Sequence, residues 1–140
     1  MDQKKIVVDT NIFLEFLLKQ RRQDESVQLM RAIEEGKVEA YVTSFALHGI
    51  EVALERVKQV SGLEQFLDWV IHAQGLSVYQ TSPDEEKQIA ALTQKITLDF
   101  DDTLQYYVTQ TLGAVLVSFD TDFDGTGIER VEPAEMVSRA

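Results

Sequence analysis

The sequence predicts an α/β fold with a mostly parallel sheet. Short β-branched apolar runs alternate with segments of helical periodicity, and the junctions carry capping or turn residues. The run Lys5 to Val8 is apolar after its lysine and reads as a buried strand. Asp9-Thr10-Asn11 follows, and then Ile12, Phe13, Phe16 and Leu17 repeat at helical spacing, so the strand opens directly into a helix. The charged stretch KQRRQDE, residues 19 to 25, reads as a break. Beyond it Val27, Met30 and Ile33 line one side of a second helix ending near Gly36. Glu39 to Val42 forms the next strand, with Thr43 or Ser44 capping a helix on which Leu47, Ile50, Leu54 and Val57 recur.

A further helix lies between Gly62 and Gly75 around Phe66, Trp69 and Val70, and Leu76 to Tyr79 is a third strand. In SPDEEKQIAAL, Ser82 is the cap, Pro83 takes the first helical position and acids fill the first turn. A helix from about Asp101 to Leu112 closes at Gly113, and AVLVSF is the most apolar strand of the chain. Asp120 to Gly125 reads as a polar loop, Ile128 to Val131 as a weak last strand, and Pro133 opens a short tail.

Composition narrows the function. The 140 residues fit one domain over 1–140, with 44% hydrophobic and 26% charged residues, as in ordinary globular proteins. The formal charge of −11 argues against nucleic-acid binding through bulk basic charge; any such binding must be local. The absence of cysteine excludes disulfides and thiolate metal sites and suits a reducing cytoplasm. The polar start is no secretory signal, and no apolar run is long enough to span a membrane.

The chemistry sits in the acids. In a parallel α/β sheet, ligands bind beyond the carboxyl ends of the strands, where Asp9 and Asp120 both fall. Two carboxylates at one edge repel unless a cation lies between them. Oxygen donors, with only His48 and His72 elsewhere, point to Mg²⁺ or Mn²⁺ rather than zinc. Each Asp has a simpler reading as a helix cap. Glu51 lies at the border of the apolar stripe in GIEVAL, where its stem alone would also pack. In Asp99-Phe100-Asp101-Asp102 the helix dipole accounts for some of the charge. A wheel that turns Leu104, Tyr107, Val108 and Leu112 inward places Asp101 nearer the core than Asp102.

These blocks resemble the four motif blocks of a PIN domain, the fold of VapC-type toxins and related ribonucleases: Asp9-Thr10-Asn11 after an apolar strand, Glu51 in SFALHGIEVAL, Asp102 in LDFDDTLQYYVTQTLGA, and Asp120 in VLVSFDTDF. The resemblance implies an α/β/α sandwich around a mostly parallel sheet of four to five strands. It implies Mg²⁺ or Mn²⁺ held by Asp9, Glu51, Asp102 and Asp120, with Asp122 auxiliary, and hydrolysis of RNA phosphodiesters by water. The family pattern favours Asp102, with Asp101 as fallback, and gives Thr10, Asn11 and Ser118 supporting polar roles. It also implies a toxin of a type II toxin–antitoxin pair.

Lys19, Arg21 and Arg22 form the densest basic cluster, suited to RNA contact or to solvation of a helix end. A groove at the first helices, around Phe13, Phe16 and Leu17, suits an antitoxin helix or a second copy of the chain as a homodimer; core packing explains these residues equally well. Two rival motifs fail on context. Asp120-x-Asp122-x-Asp124-Gly125 copies half an EF-hand loop, but Val131 occupies the position that needs a glutamate. VLVSFDTD resembles a dehalogenase-type nucleophile motif, with too little chain after it. Two readings outside catalysis remain: a catalytically silent PIN-like binding module, and an acidic α/β protein whose aspartates only cap helices.

Overall fold

The computed structural model describes residues 4–140. It comprises strands β1 (Lys5–Val8), β2 (Glu39–Thr43), β3 (Leu76–Tyr79), β4 (Val115–Val117) and β5 (Arg130–Val131). The helices are α1 (Thr10–Leu17), α2 (Gln23–Glu34), α3 (Ser44–Arg56), α4 (Val60–His72), α5 (Pro83–Leu92), α6 (Phe100–Leu112) and α7 (Pro133–Arg139). The sheet order is β3-β2-β1-β4-β5 and every pairing is parallel, so the expected α/β/α sandwich forms with five strands.

Side chains alternate across the sheet with period two and feed two cores. Ile6, Val8, Ala40, Val42, Val115 and Val117 face Ile12 and Phe13 of α1, Leu29 and Ile33 of α2, Ile50 and Leu54 of α3, and Phe66 of α4. Val7 and Leu116 face the other way, against Ile89 of α5, Leu104 and Val108 of α6, and Phe123. Each such aliphatic side chain, fully buried, stabilises the fold by roughly 1.5–3 kcal/mol. Phe13 meets Phe66 at a centroid distance of 5.2 Å and Phe66 stacks on Trp69 at 6.1 Å, which ties α1 to α4.

The capping chemistry holds where it is strong. Ser82 and Glu85 form a reciprocal capping box behind Pro83, Thr43 accepts from the amide of Ala46, and Gly113 ends α6 at φ 61°.

Several expectations need correction. The charged break is shorter than drawn, because α2 begins at Gln23, where Asp24 and Glu25 suit a first turn. Val57 is exposed beyond the end of α3, and Ala46 takes its place in the stripe. Strand β4 stops at Val117, three residues before Asp120. The polar loop contains a 3₁₀ turn, Thr121–Phe123, which buries Phe123. The tail is helix α7, started by Pro133 and anchored by Met136 against the first core.

Candidate active site

The starts of three helices, α1 at Thr10, α3 at Ser44 and α6 at Phe100, meet at one place on the carboxyl edge of the sheet. Parallel strands impose this for α1 and α3, which follow β1 and β2 directly; α6 follows α5 and runs back to the start of β4, so its first turn also lies at that edge. A cleft of about 270 Å³ opens there, lined by Asp9, Thr10, Asn11, Thr43, Phe45, Ala46, Gly49, Asp101, Asp102, Gln105 and Asp120 among others. The partial positive charge of the helix N-termini faces it and offsets part of the acidic charge.

Asp9 is the anchor, only 7% exposed. Its Oδ1 accepts from the Thr10 amide at 2.7 Å and from Gln105 Nε2 at 3.0 Å, and its Oδ2 accepts from Ser118 Oγ at 2.6 Å. Burial raises its pKa above 3.8, and the charge of Asp120 adds to the rise. The hydrogen bonds from Ser118, Thr10 and Gln105 oppose it. Ser118 is fully buried and also accepts from the Asp120 amide at 3.0 Å, so one hydroxyl ties Asp9 to Asp120 across β1 and β4. Asn11 completes the tie: its Nδ2 reaches Ser118 Oγ and its Oδ1 accepts from the Phe119 amide, both at 3.4 Å.

Asp102 enters from α6, its amide held by the Asp99 cap at 3.1 Å. Burial, joined by the charges of Asp99, Asp9, Asp120 and Asp101, pushes its carboxyl up to about 7. Asp101 is raised by burial and by Asp99. Both line the cleft, but Asp102 is the one that feels Asp9 and Asp120. The helical wheel therefore erred, because it used apolar residues alone. Helix α6 also buries a polar stripe, Gln105 and Thr109, and Asp102 stands one turn before Gln105 on it. Gln105 itself escaped the sequence reading; a polar residue inside an apolar helix face was the available signal.

Glu51 is half-buried but does not line the cleft. Gly49 does, and two residues along a helix turn a side chain about 200° away. A Cβ at Gly49 would meet nothing within 4 Å, so the α3 wall is open there. Asp122 is exposed and away from the cleft, its amide bonded to Asp120 Oδ1 at 2.9 Å. Asp124, the third acid of the EF-hand-like run, is taken by Arg130 at 2.8 and 3.1 Å.

The basic cluster is dispersed. Arg22 pairs with Glu25 and Glu132 and lies 4.0 Å over the Phe119 ring. Lys19, with φ 52°, lines a second groove beyond the C-terminal end of α1, and Arg21 is exposed. Phe13 is fully buried, while Phe16 and Leu17 do line that groove.

Among the described residues no three His, Asp or Glu side chains stand drawn together as a ready metal cage. The donors nevertheless suit a hard divalent cation. They are carboxylate oxygens, partly desolvated; the charge of Asp120 opposes ionisation of Asp9, and the charges of Asp9 and Asp120 oppose ionisation of Asp102. Asp9, Asp102 and Asp120 would hold such an ion, with Asp101 at the rim.

A PIN domain family model matches residues 6–129, and the chain belongs to the PIN domain family. A comparison with curated proteins finds no match. Among solved structures, VapC20 of Mycobacterium tuberculosis, described as a sarcin–ricin loop cleaving toxin, is similar at TM-score 0.75 and 19% identity, over 91% of this chain and 99% of that one. A toxin–antitoxin complex from Klebsiella pneumoniae is similar at TM-score 0.67 and 22% identity, over 91% and 97%. VapBC2 from Rickettsia felis, bound to a DNA fragment from its promoter, is similar at 0.69 and 16%, over 91% and 98%. Among the described residues no helix is long and apolar enough to cross a membrane.

Proposed function

We propose that the chain is a metal-dependent endoribonuclease, hydrolysing RNA phosphodiester bonds with water, and the toxin of a type II toxin–antitoxin pair. The observation that carries this reading is the convergence of Asp9, Asp102 and Asp120 on one cleft where their charges oppose one another. A bound Mg²⁺ or Mn²⁺ would supply the charge that admits a phosphodiester and makes water acidic enough to attack it. The chain's own residues prepare the cleft. Ser118, Gln105 and the Thr10 amide fix both oxygens of Asp9, so the carboxylate keeps its aim as charge enters. The Asp102 carboxyl, pushed up to about 7, holds a proton part of the time at neutral pH, and as a ligand to a divalent cation it would have to release that proton.

The test is cleavage of a structured RNA mixture by purified protein in Mg²⁺, Mn²⁺ or EDTA, beside folded Asp9→Asn and Asp102→Asn variants. Metal-dependent cutting lost in both variants supports the reading; equal cutting by all three proteins refutes it. Gly49 motivates a second reading, a silent PIN-like module, because α3 presents no carboxylate to the cleft. That reading predicts a melting-temperature rise in Mn²⁺ without cutting.

The second groove, about 620 Å³, is the seat for the antitoxin, with Phe16, Leu17, Val27, Met30, Phe66 and Trp69 as apolar wall and three cations, Lys19, Arg31 and Lys58, against one acid, Glu34, around it. Cations beside an apolar trough on an acidic protein suit an amphipathic segment carrying acids. Structural relatives include toxin–antitoxin complexes, which supports the same partner class. Co-expression with the product of the adjacent reading frame should give a complex that Met30→Glu disrupts; a complex indifferent to that change moves the partner elsewhere.

A further inference from the structure

The chain holds seven phenylalanines, and two of them are exposed: Phe45 at 44% and Phe100 at 37%. These two meet, with centroids 6.3 Å apart and planes tilted by 54°, and Phe45 lines the acidic cleft. They open the first turns of α3 and α6, the two helices that bring Gly49 and Asp102 to the cleft. Among the described residues no lysine or arginine lines that cleft. A polyanion bound there draws little affinity from side-chain cations; a bound metal would serve the phosphate at the acids, and the apolar pair is what the protein offers the nucleotide beside it.

We propose that Phe45 and Phe100 form a stacking clamp for an unpaired nucleobase of the RNA beside the phosphodiester to be cut; this rests on the ribonuclease reading above. Two exposed, tilted rings, one of them lining the cleft, suit an unstacked base, because every base offers a π-face whatever its sequence. A helical duplex, whose bases are already stacked, gains nothing from them, so the clamp selects single-stranded segments or loops. Protein–protein docking is the poorer match. The exposed remainder of two phenylalanines is on the order of 150 Å², against roughly 800 Å² per partner in a stable interface.

The experiment is binding of a fluorescein-labelled single-stranded RNA, in Mn²⁺, to the Asp102→Asn protein carrying Phe45→Leu, Phe100→Leu or Phe100→Tyr, with circular dichroism to verify folding. Either leucine should weaken binding by about fivefold or more, while tyrosine retains it. An abasic nucleotide placed at the sensitive position should remove the difference between phenylalanine and leucine. Raising salt from about 50 to about 200 mM should cost much less than the 10³-fold typical of phosphate-dominated binding. The clamp is overturned if the leucine proteins bind like their parent, or if the parent binds no RNA. It is equally overturned if leucine converts a dimer to a monomer in light scattering and the binding loss follows that change. Phenylalanine-dependent binding by a wild-type protein that does not cut would sink the nuclease reading and leave the clamp standing.

Discussion

Asp102 carries a proton near neutrality because burial and four neighbouring acids disfavour its charge. Its folded pKa of about 7 lies above the ordinary 3.8, so between those values the folded state binds a proton that the unfolded chain has released. Without divalent cation, stability should therefore fall as pH rises from about 5 to about 7.5, with Asp9 contributing in the same direction. Glu85, Asp124 and Glu132, whose pKa values are lowered, act oppositely, and only as pH falls below their ordinary range. Thermal melts in EDTA check the sign: Asp102→Asn should flatten the slope and raise the melting temperature at pH 7.5, and Mn²⁺ should stabilise the wild type more as pH rises. Ser118→Ala removes the donor to Asp9 and the acceptor for Asp120 inside the protein. A loss of about 1–3 kcal/mol in denaturant melts and a roughly 10–100-fold drop in cleavage are expected. Glu51→Gln, outside the cleft, should change cleavage little.

At the level of elements, two glycines test how the helices sit. A methyl at Gly49 enters open space on α3, so Gly49→Ala should raise stability by about 0.5–1 kcal/mol while narrowing the cleft beside Phe45. A methyl at Gly75 would lie 2.5 Å from the Val38 carbonyl and 2.6 Å from that of Ile33, both backbone, so Gly75→Ala should destabilise the turn into β3; chemical denaturation of the pair decides. The same scale explains what could be read in advance. β1 and α5 were legible because burial on both faces writes an unbroken apolar run, and Ser82-Pro83 with Glu85 writes a helix start. α7 was not, because its seven residues are too few to show a helical period and gain their helix from docking Met136 and Val137 on the core. Asp9 and Asp120 followed from the strand ends. The position of Glu51 off the cleft lining could not be read, because helix phase decides which wall a side chain joins, and a two-residue offset is invisible without the fold. Gln105 failed because its burial depends on Asp9, far away in sequence.

For the whole molecule, the two grooves have separate reporters. Trp69, the single tryptophan, lines the apolar groove and not the acidic cleft. An antitoxin segment seated there should shift tryptophan emission, and RNA bound at the acids should leave it unchanged; a fluorescence titration with each ligand reads the distinction. Arg22 and Arg130 converge on Glu132, and Arg130 also donates to the Ser118 carbonyl at 2.9 Å. The end of β4 is thereby braced from α2 and β5.

Strand β1 sits at the centre of the sheet, with β2 on one side and β4 on the other, Val8 registering with Val117. The first pairing closes a short stretch of chain and the second closes nearly its whole length, which is entropically slower to achieve. During synthesis, Asp9 emerges early and waits for Ser118 and Asp120 at the far end. A ribosome that stalls before β4 releases a polypeptide that holds Asp9, Asp101 and Asp102 but lacks Asp120 and the Ser118 hydroxyl that braces Asp9. Closure of the cleft is thus withheld until the segment from Val115 to Asp120 has been made and has paired beside β1.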